Sequence, residues 1–147
     1  MKRTQWMIAV MLAVLIGLPI VYAQSTNVVM QVPATTSVNG AVRVTIPFDF
    51  SVSGKSLKAG EYLIAPADEK GISFKGSNGS AVALTNGISS NKADGPKLVF
   101  HKYGHTYFLA QTWLRNSESG RELFVSPQEI NMAREYKQEQ VVLVAKK

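Results

Sequence analysis

The chain has 147 residues, with 16 Lys and Arg against 10 Asp and Glu and no cysteine. That length suits one domain of about 100–200 residues, and a composition of 46% hydrophobic and 18% charged residues excludes wholesale disorder. The lack of cysteine excludes disulfides, zinc–thiolate sites, iron–sulfur clusters and thiol catalysis.

The first residues read as an address rather than as fold. Lys2 and Arg3 form a basic head. Trp6 to Ile20 is apolar apart from the breaks at Gly17 and Pro19, and Val21-Tyr22-Ala23 supplies small residues at the −3 and −1 positions of a cleavage site. The run is shorter than the ~20 residues of a comfortable membrane span. Residues 1–23 are therefore expected to be a signal peptide, with an uncleaved anchor as the alternative and no membrane span after cleavage. No cysteine follows to carry a lipid. The expected location is exported, periplasmic or extracellular. Losing Lys2 and Arg3 lowers the net charge from +6 to +4, too small and scattered a surplus to imply nucleic-acid binding.

Residues 24–40 are polar and rich in Ser, Thr and Asn, and read as a flexible leader with room for a short strand at Val28–Val32. A single β domain is expected over 41–147. Val42, Val44, Ile46, Phe48 and Phe50 alternate with Arg43, Thr45, Pro47 and Asp49, the period of a strand with one buried face. Pro47 cannot donate to a ladder and marks an edge or bulge. Ser53-Gly54 and Ala59-Gly60 bracket a turn, and Tyr62 to Ala65 is a short strand. Ile72 and Phe74, then Val82 and Leu84, alternate on either side of Asn78-Gly79, a hairpin signal. Leu98–Tyr103 and Thr106–Leu114 form a second hairpin at Gly104-His105.

The last of these strands is apolar on both faces: Tyr107, Leu109 and Trp113 on one, Phe108, Ala110 and Leu114 on the other. Both faces then need covering. Ser126-Pro127-Gln128-Glu129 is a capping box with proline at the first helical position. It predicts a helix from Pro127 to about Glu139 with Ile130, Ala133 and Tyr136 as its apolar stripe. Val141 to Ala145 reads as a closing strand. The expected fold is all-β, an antiparallel sandwich or small barrel of seven to eight strands with one C-terminal helix.

No motif carries catalysis. Gly54-Lys55-Ser56 lacks the earlier glycine and following helix of a phosphate loop. Ser89-Ser90-Asn91-Lys92 matches Ser-x-x-Lys without its partner motifs. His101 and His105 straddle a turn, but two ligands are too few for a metal, and a third would have to come from Asp94 or further away. Adjacent Asp68 and Glu69 read as a solvated loop. The protein is expected not to be an enzyme and to hold no cofactor or metal. What remains is the aromatic set. In a small barrel it lines a cavity for an apolar ligand or simply fills the core. The candidate ligand residues are Phe48, Phe50, Tyr107, Leu109 and Trp113. The expected function is a non-catalytic envelope protein binding an apolar or lipid-like molecule. The alternative is a structural module that binds an envelope protein or a second copy of itself.

Four segments together resemble an uncharacterised family of small exported proteins from acidobacteria-like soil bacteria. They are Ile46-Pro47-Phe48-Asp49-Phe50, Leu57-Lys58-Ala59-Gly60-Glu61-Tyr62, Lys97-Leu98-Val99-Phe100-His101-Lys102-Tyr103-Gly104 and Ser119-Gly120-Arg121-Glu122-Leu123. The resemblance spans roughly Ala41 to Glu135 and implies a bacterial envelope or secreted protein. It assigns no activity, ligand or site residue. The Val141-Val142-Leu143-Val144 tail departs from members that stop after the helix.

Overall fold

A computed structural model of the chain describes residues 26–36, 39–92, 95–115 and 118–146. The signal segment 1–23 and Asp94 lie outside the described residues. The segment read as a leader is paired: it supplies β1 (Asn27–Val32) and β2 (Ala34–Thr36). There follow β3 (Val42–Ile46), β4 (Phe50–Val52), β5 (Lys55–Leu57), β6 (Gly60–Pro66), β7 (Gly71–Gly76) and β8 (Gly79–Ser89). The chain continues through β9 (Lys97–Tyr103), β10 (Thr106–Trp113), β11 (Ser119–Leu123), α1 (Pro127–Glu135) and β12 (Gln138–Ala145).

The strands join in the order β1-β12-β9-β10-β11-β8-β7-β6-β3-β2. The two ends of that order, β1 and β2, are consecutive in the chain with only Pro33 between them. Val32 O accepts from Lys146 N at 2.8 Å, and Pro33 O accepts from Thr45 N at 3.1 Å. One stretch of backbone thus serves both edges, and the sheet curls into a nearly closed barrel. Closure removes the unpaired edges that an open sheet would expose. The described residues form twelve strands, not seven or eight. The additional ones are β2, β4, β5 and β11: β4 begins at the far end of the run expected as one strand, and the other three are three to five residues long and leave little period to read.

Pro47 splits the long alternating run. β3 pairs with β6 and stops at Ile46, while Phe50–Val52 pairs with β5 and, in parallel, with β10 through Ser51 and Phe108. The β4–β5 turn, Ser53-Gly54, has both φ angles positive, 48° and 85°. This is the sense of turn that matches strand twist in a two-residue hairpin. The hairpin seals one end of the barrel. Phe50 meets Tyr62, Phe74 and Phe100 edge-on there, at centroid distances of 5.3, 6.5 and 5.7 Å. Asp49 fixes the next turn: its Oδ1 accepts from Ala59 N at 2.9 Å and its Oδ2 pairs with Lys58 Nζ at 3.2 Å. These bonds, the backbone one foremost, hold its carboxyl below the usual carboxylate range.

Two expected faces are reversed. Along β8, Ala81, Ala83 and Thr85 point into the core, and Val82 and Leu84 are each 68% exposed. Along β10 the ladder to β9 slips between Leu109 and Gln111. Leu109 opposite Phe100 faces the core, as does Thr112 opposite Leu98, but Trp113 lies on the outer side with Lys97. Trp113 therefore does not share a face with Tyr107 and Leu109. A bulge residue at Ala110 shifts the period by one, and apolar side chains on both faces hide that shift from the sequence.

The helix ends at Glu135, earlier than expected. Its Ser126 cap accepts from Glu129 N at 3.2 Å, as the capping box predicts. Its expected apolar stripe is not what it buries: Ile130 and Tyr136 are each 47% exposed, whereas Glu129 is 5% exposed. The closing strand is present as β12, lying between β9 and β1.

Gly76 packs directly against Tyr62. A Cβ there would come 2.6 Å from the Tyr62 ring and 2.9 Å from Glu61 O. Gly76→Ala is expected to destabilise by about 1–3 kcal/mol, the usual range for overpacking, measured by urea unfolding.

Candidate functional site

The expected aromatic site resolves into two places. Phe48 stacks on Tyr107 at 3.8 Å and 11° and meets Phe100 edge-on at 5.0 Å. With Phe50 and Leu109, which are fully buried, they fill the closed end of the barrel. Trp113 stands apart. Its ring lies over Gly120, where any Cβ would collide with it, its Nε1 donates to Gln111 Oε1 at 3.3 Å, and Lys97 Nζ sits 5.3 Å from its centroid. At 6% exposed it is a packed side chain.

The apolar interior has little free space. A crevice of about 20 Å³ lies among Val32, Val44, Ile64, Leu98 and Leu143. This is room for about one water.

The opposite end of the barrel is open. A concavity of about 540 Å³ is bounded there by Gly40 before β3, Pro66 at the end of β6, Glu69 and Lys70 after it, Thr85 to Ser89 of β8, Thr112 of β10, Leu114 and Arg115 just after it, and Ser119 to Arg121 of β11. The register explains the lining. Leu123 faces the core opposite Thr85, so Arg121, two residues earlier, faces the same way opposite Gly87. Thr112 lies directly opposite Arg121 on the neighbouring strand. Arg121 Nη1 donates to Glu69 O at 2.8 Å and to Thr85 Oγ1 at 3.3 Å, and Thr85 Oγ1 in turn donates to Lys70 O at 2.8 Å. Thr112 Oγ1 is buried without a hydrogen-bond partner. Sequence reading missed these residues because β11 is five residues long and mostly polar. The available signal was Arg121 at an even spacing from Leu123.

The histidines separate. His101 Nδ1 lies 2.8 Å from Glu129 Oε1, a buried carboxylate on α1, and so carries its proton toward it. The Tyr103 hydroxyl is 3.3 Å from the same oxygen and 3.0 Å from Gln138 Oε1. A carboxylate-oriented histidine is part of a nucleophile-activating triad, but among the described residues no hydroxyl is hydrogen-bonded to its Nε2. The cluster clamps α1 to the outer face of β9. His105 instead lines a groove of about 280 Å³ beside Asp49, Lys58 and Tyr107. Among the described residues no three His, Asp or Glu side chains converge on a metal position, and no helix is long and apolar enough to cross a membrane.

No family model, curated protein or solved structure matches the chain.

Burial and the adjacent Glu129 push the Tyr103 hydroxyl up to about 12 from an ordinary 10.0. Burial raises Tyr62 as well. Retaining the proton favours the folded state. That contribution is complete below pH 10 and is lost as the pH rises through about 12. Urea unfolding at stepped pH is expected to show a steeper alkaline loss of stability in the parent protein than in Tyr103→Phe.

Proposed function

We propose that this is a non-catalytic, exported binding protein of the bacterial envelope whose ligand sits in the open mouth of the barrel rather than among its aromatic core residues. The observation that carries this reading is the distribution of space. The mouth holds about 540 Å³ and the apolar crevice about 20 Å³. Small-molecule sites usually occupy about 300–1,000 Å³. Phe48, Phe50, Tyr107, Leu109 and Trp113 then act as packing that keeps the mouth in shape. The basic head and apolar run before Ala23, together with the family resemblance, support export.

Gly87 offers a direct test. It lines the mouth, and a Cβ added to it meets nothing within 4 Å. Gly87→Phe is expected to fill the mouth while leaving thermal stability nearly unchanged. Protein purified from its native envelope fraction should release a stoichiometric small molecule into organic extract, detected by mass spectrometry, and the Gly87→Phe protein should release none. Equal release from both would move the ligand elsewhere.

A second reading, the partner-binding module, is favoured by one observation. Val82, Leu84, Phe124 and Val125 are all more than half exposed. The β8–β11 register runs Leu123 to Thr85, so Phe124 follows beside Leu84 on the outer side. Such a strip on a small domain is a common contact surface. In this reading Leu84→Lys lowers the solution mass seen by sedimentation, and in the binding-protein reading it leaves the mass unchanged.

A further inference from the structure

The mouth is chemically one-sided. Among the described residues, Lys70, Arg115 and Arg121 line it against a single carboxylate, Glu69. We propose that it binds an organic anion, a carboxylate, phosphate or sulfonate head on a compact apolar body. This rests on reading the mouth as the ligand site.

Arg121 is held but not neutralised. Both of its bonds use Nη1 and both go to uncharged oxygens, Glu69 O and Thr85 Oγ1. Thr85 gives its own proton to Lys70 O, so it can only accept from Arg121. The guanidinium is thereby fixed in direction. Among the described residues no carboxylate pairs with it, and its Nε and Nη2 edge has no protein partner. A planar fork with two free donors suits a two-oxygen anionic head. Arg115 reaches the same space. Its guanidinium lies against Gly40, where a Cβ would collide with it, and it has no ion pair among the described residues.

The second, independent observation is Thr112. Its hydroxyl is buried beside Arg121 in the ladder and has no partner. Leaving a buried hydroxyl unpaired costs stability, and a valine of the same shape would avoid that cost. The hydroxyl is closed off from solvent as it stands, so an anionic oxygen held by Arg121 would supply the missing acceptor only with the Thr112 rotamer turned toward the mouth. Pro66, Ile88 and Leu114 complete the lining with apolar surface for the body of the ligand.

The test is a fluorescence titration of the full chain with two dyes that share one ring system, 1-anilinonaphthalene-8-sulfonate and uncharged N-phenyl-1-naphthylamine. The sulfonate is expected to bind about tenfold tighter, the scale of one charge-assisted contact. Arg115→Gln and Arg121→Gln should each reduce that preference, and Gly87→Phe should remove binding of both dyes. Arg121→Lys, which keeps a cation, guards against a folding artefact, and thermal melts check each variant. Thr112→Val is expected to raise the melting temperature while weakening sulfonate binding; a stabilised variant with unchanged binding overturns the role of that hydroxyl. A free anion and a lipid headgroup share this chemistry. Displacement by inorganic phosphate would assign a dissolved ligand, and displacement only by phosphatidylglycerol vesicles a headgroup. Equal affinity for the two dyes, with both lost in Gly87→Phe, overturns the anion inference and leaves the mouth as the site. A sulfonate preference untouched by every mouth variant overturns both.

Discussion

Between Leu109 and Gln111 the ladder joining β9 and β10 slips by one residue, and much of the barrel follows from that slip. Before it, β10 faces the core with Tyr107 and Leu109. After it, Thr112 and Leu114 face inward and Trp113 faces out. The same irregularity divides the other edge of β10 between two neighbours, with β4 at Phe108 and β11 at Gln111 and Thr112. A bulge sharpens the local bend and twist of its strand, so one inserted residue sets the curvature, the partners and the side chains offered to each end of the barrel. Without it Trp113 would point inward where Thr112 now stands, and the mouth would be filled by an indole.

The two ends are built on opposite principles. At the closed end, Phe48, Phe50, Tyr62, Phe74, Phe100 and Tyr107 interlock in edge-on and stacked pairs, an arrangement favoured by ring quadrupoles beyond the burial of area alone. At the open end, small and polar side chains on β8 and β10 leave space, and the Glu69 backbone oxygen and the Thr85 hydroxyl hold the Arg121 guanidinium in place. The outer face of β9 follows a third principle. There a buried carboxylate on α1, answered by a histidine and a tyrosine, takes the place of the apolar stripe expected between helix and sheet.

The sequence carried the all-β class, both hairpins, the capping box and the final strand, although the first hairpin turns at Ser77-Asn78, with Gly76 opposite Gly79, one residue before the expected Asn-Gly. All of these rest on local signals: period two, Asn-Gly, Gly-His, and Ser-Pro-x-Glu. It did not carry whatever depends on a distant partner. Nothing in Asn27–Thr36 reveals that β12 and β3 wait on either side of it. Val82 and Leu84 are better core residues than Ala81 and Ala83 by size, yet the narrow interior takes the alanines. Glu129 reads as a capping residue and becomes the buried anchor of its helix because His101 and Tyr103 lie opposite. Thr112 and Arg121 share a site only through a cross-strand pairing, which composition and spacing do not encode.

The pairing of β1 with β12 has a temporal consequence. Asn27 meets Gln140 and Val32 meets Ala145, contacts that join positions about 110 residues apart. Pairings this remote must meet a large loop-closure entropy before any contact rewards it, and they slow folding. The strand that closes the barrel at one edge has no partner until β12 exists beside β9. Through most of synthesis the chain therefore holds an unclosed sheet with vacant hydrogen-bonding edges, and its final topology is reached only when nearly the whole polypeptide is present. A chain wired in this way leaves closure of the barrel to its last strand, and until β12 is made the edges of β1 and β9 stay open to other pairing.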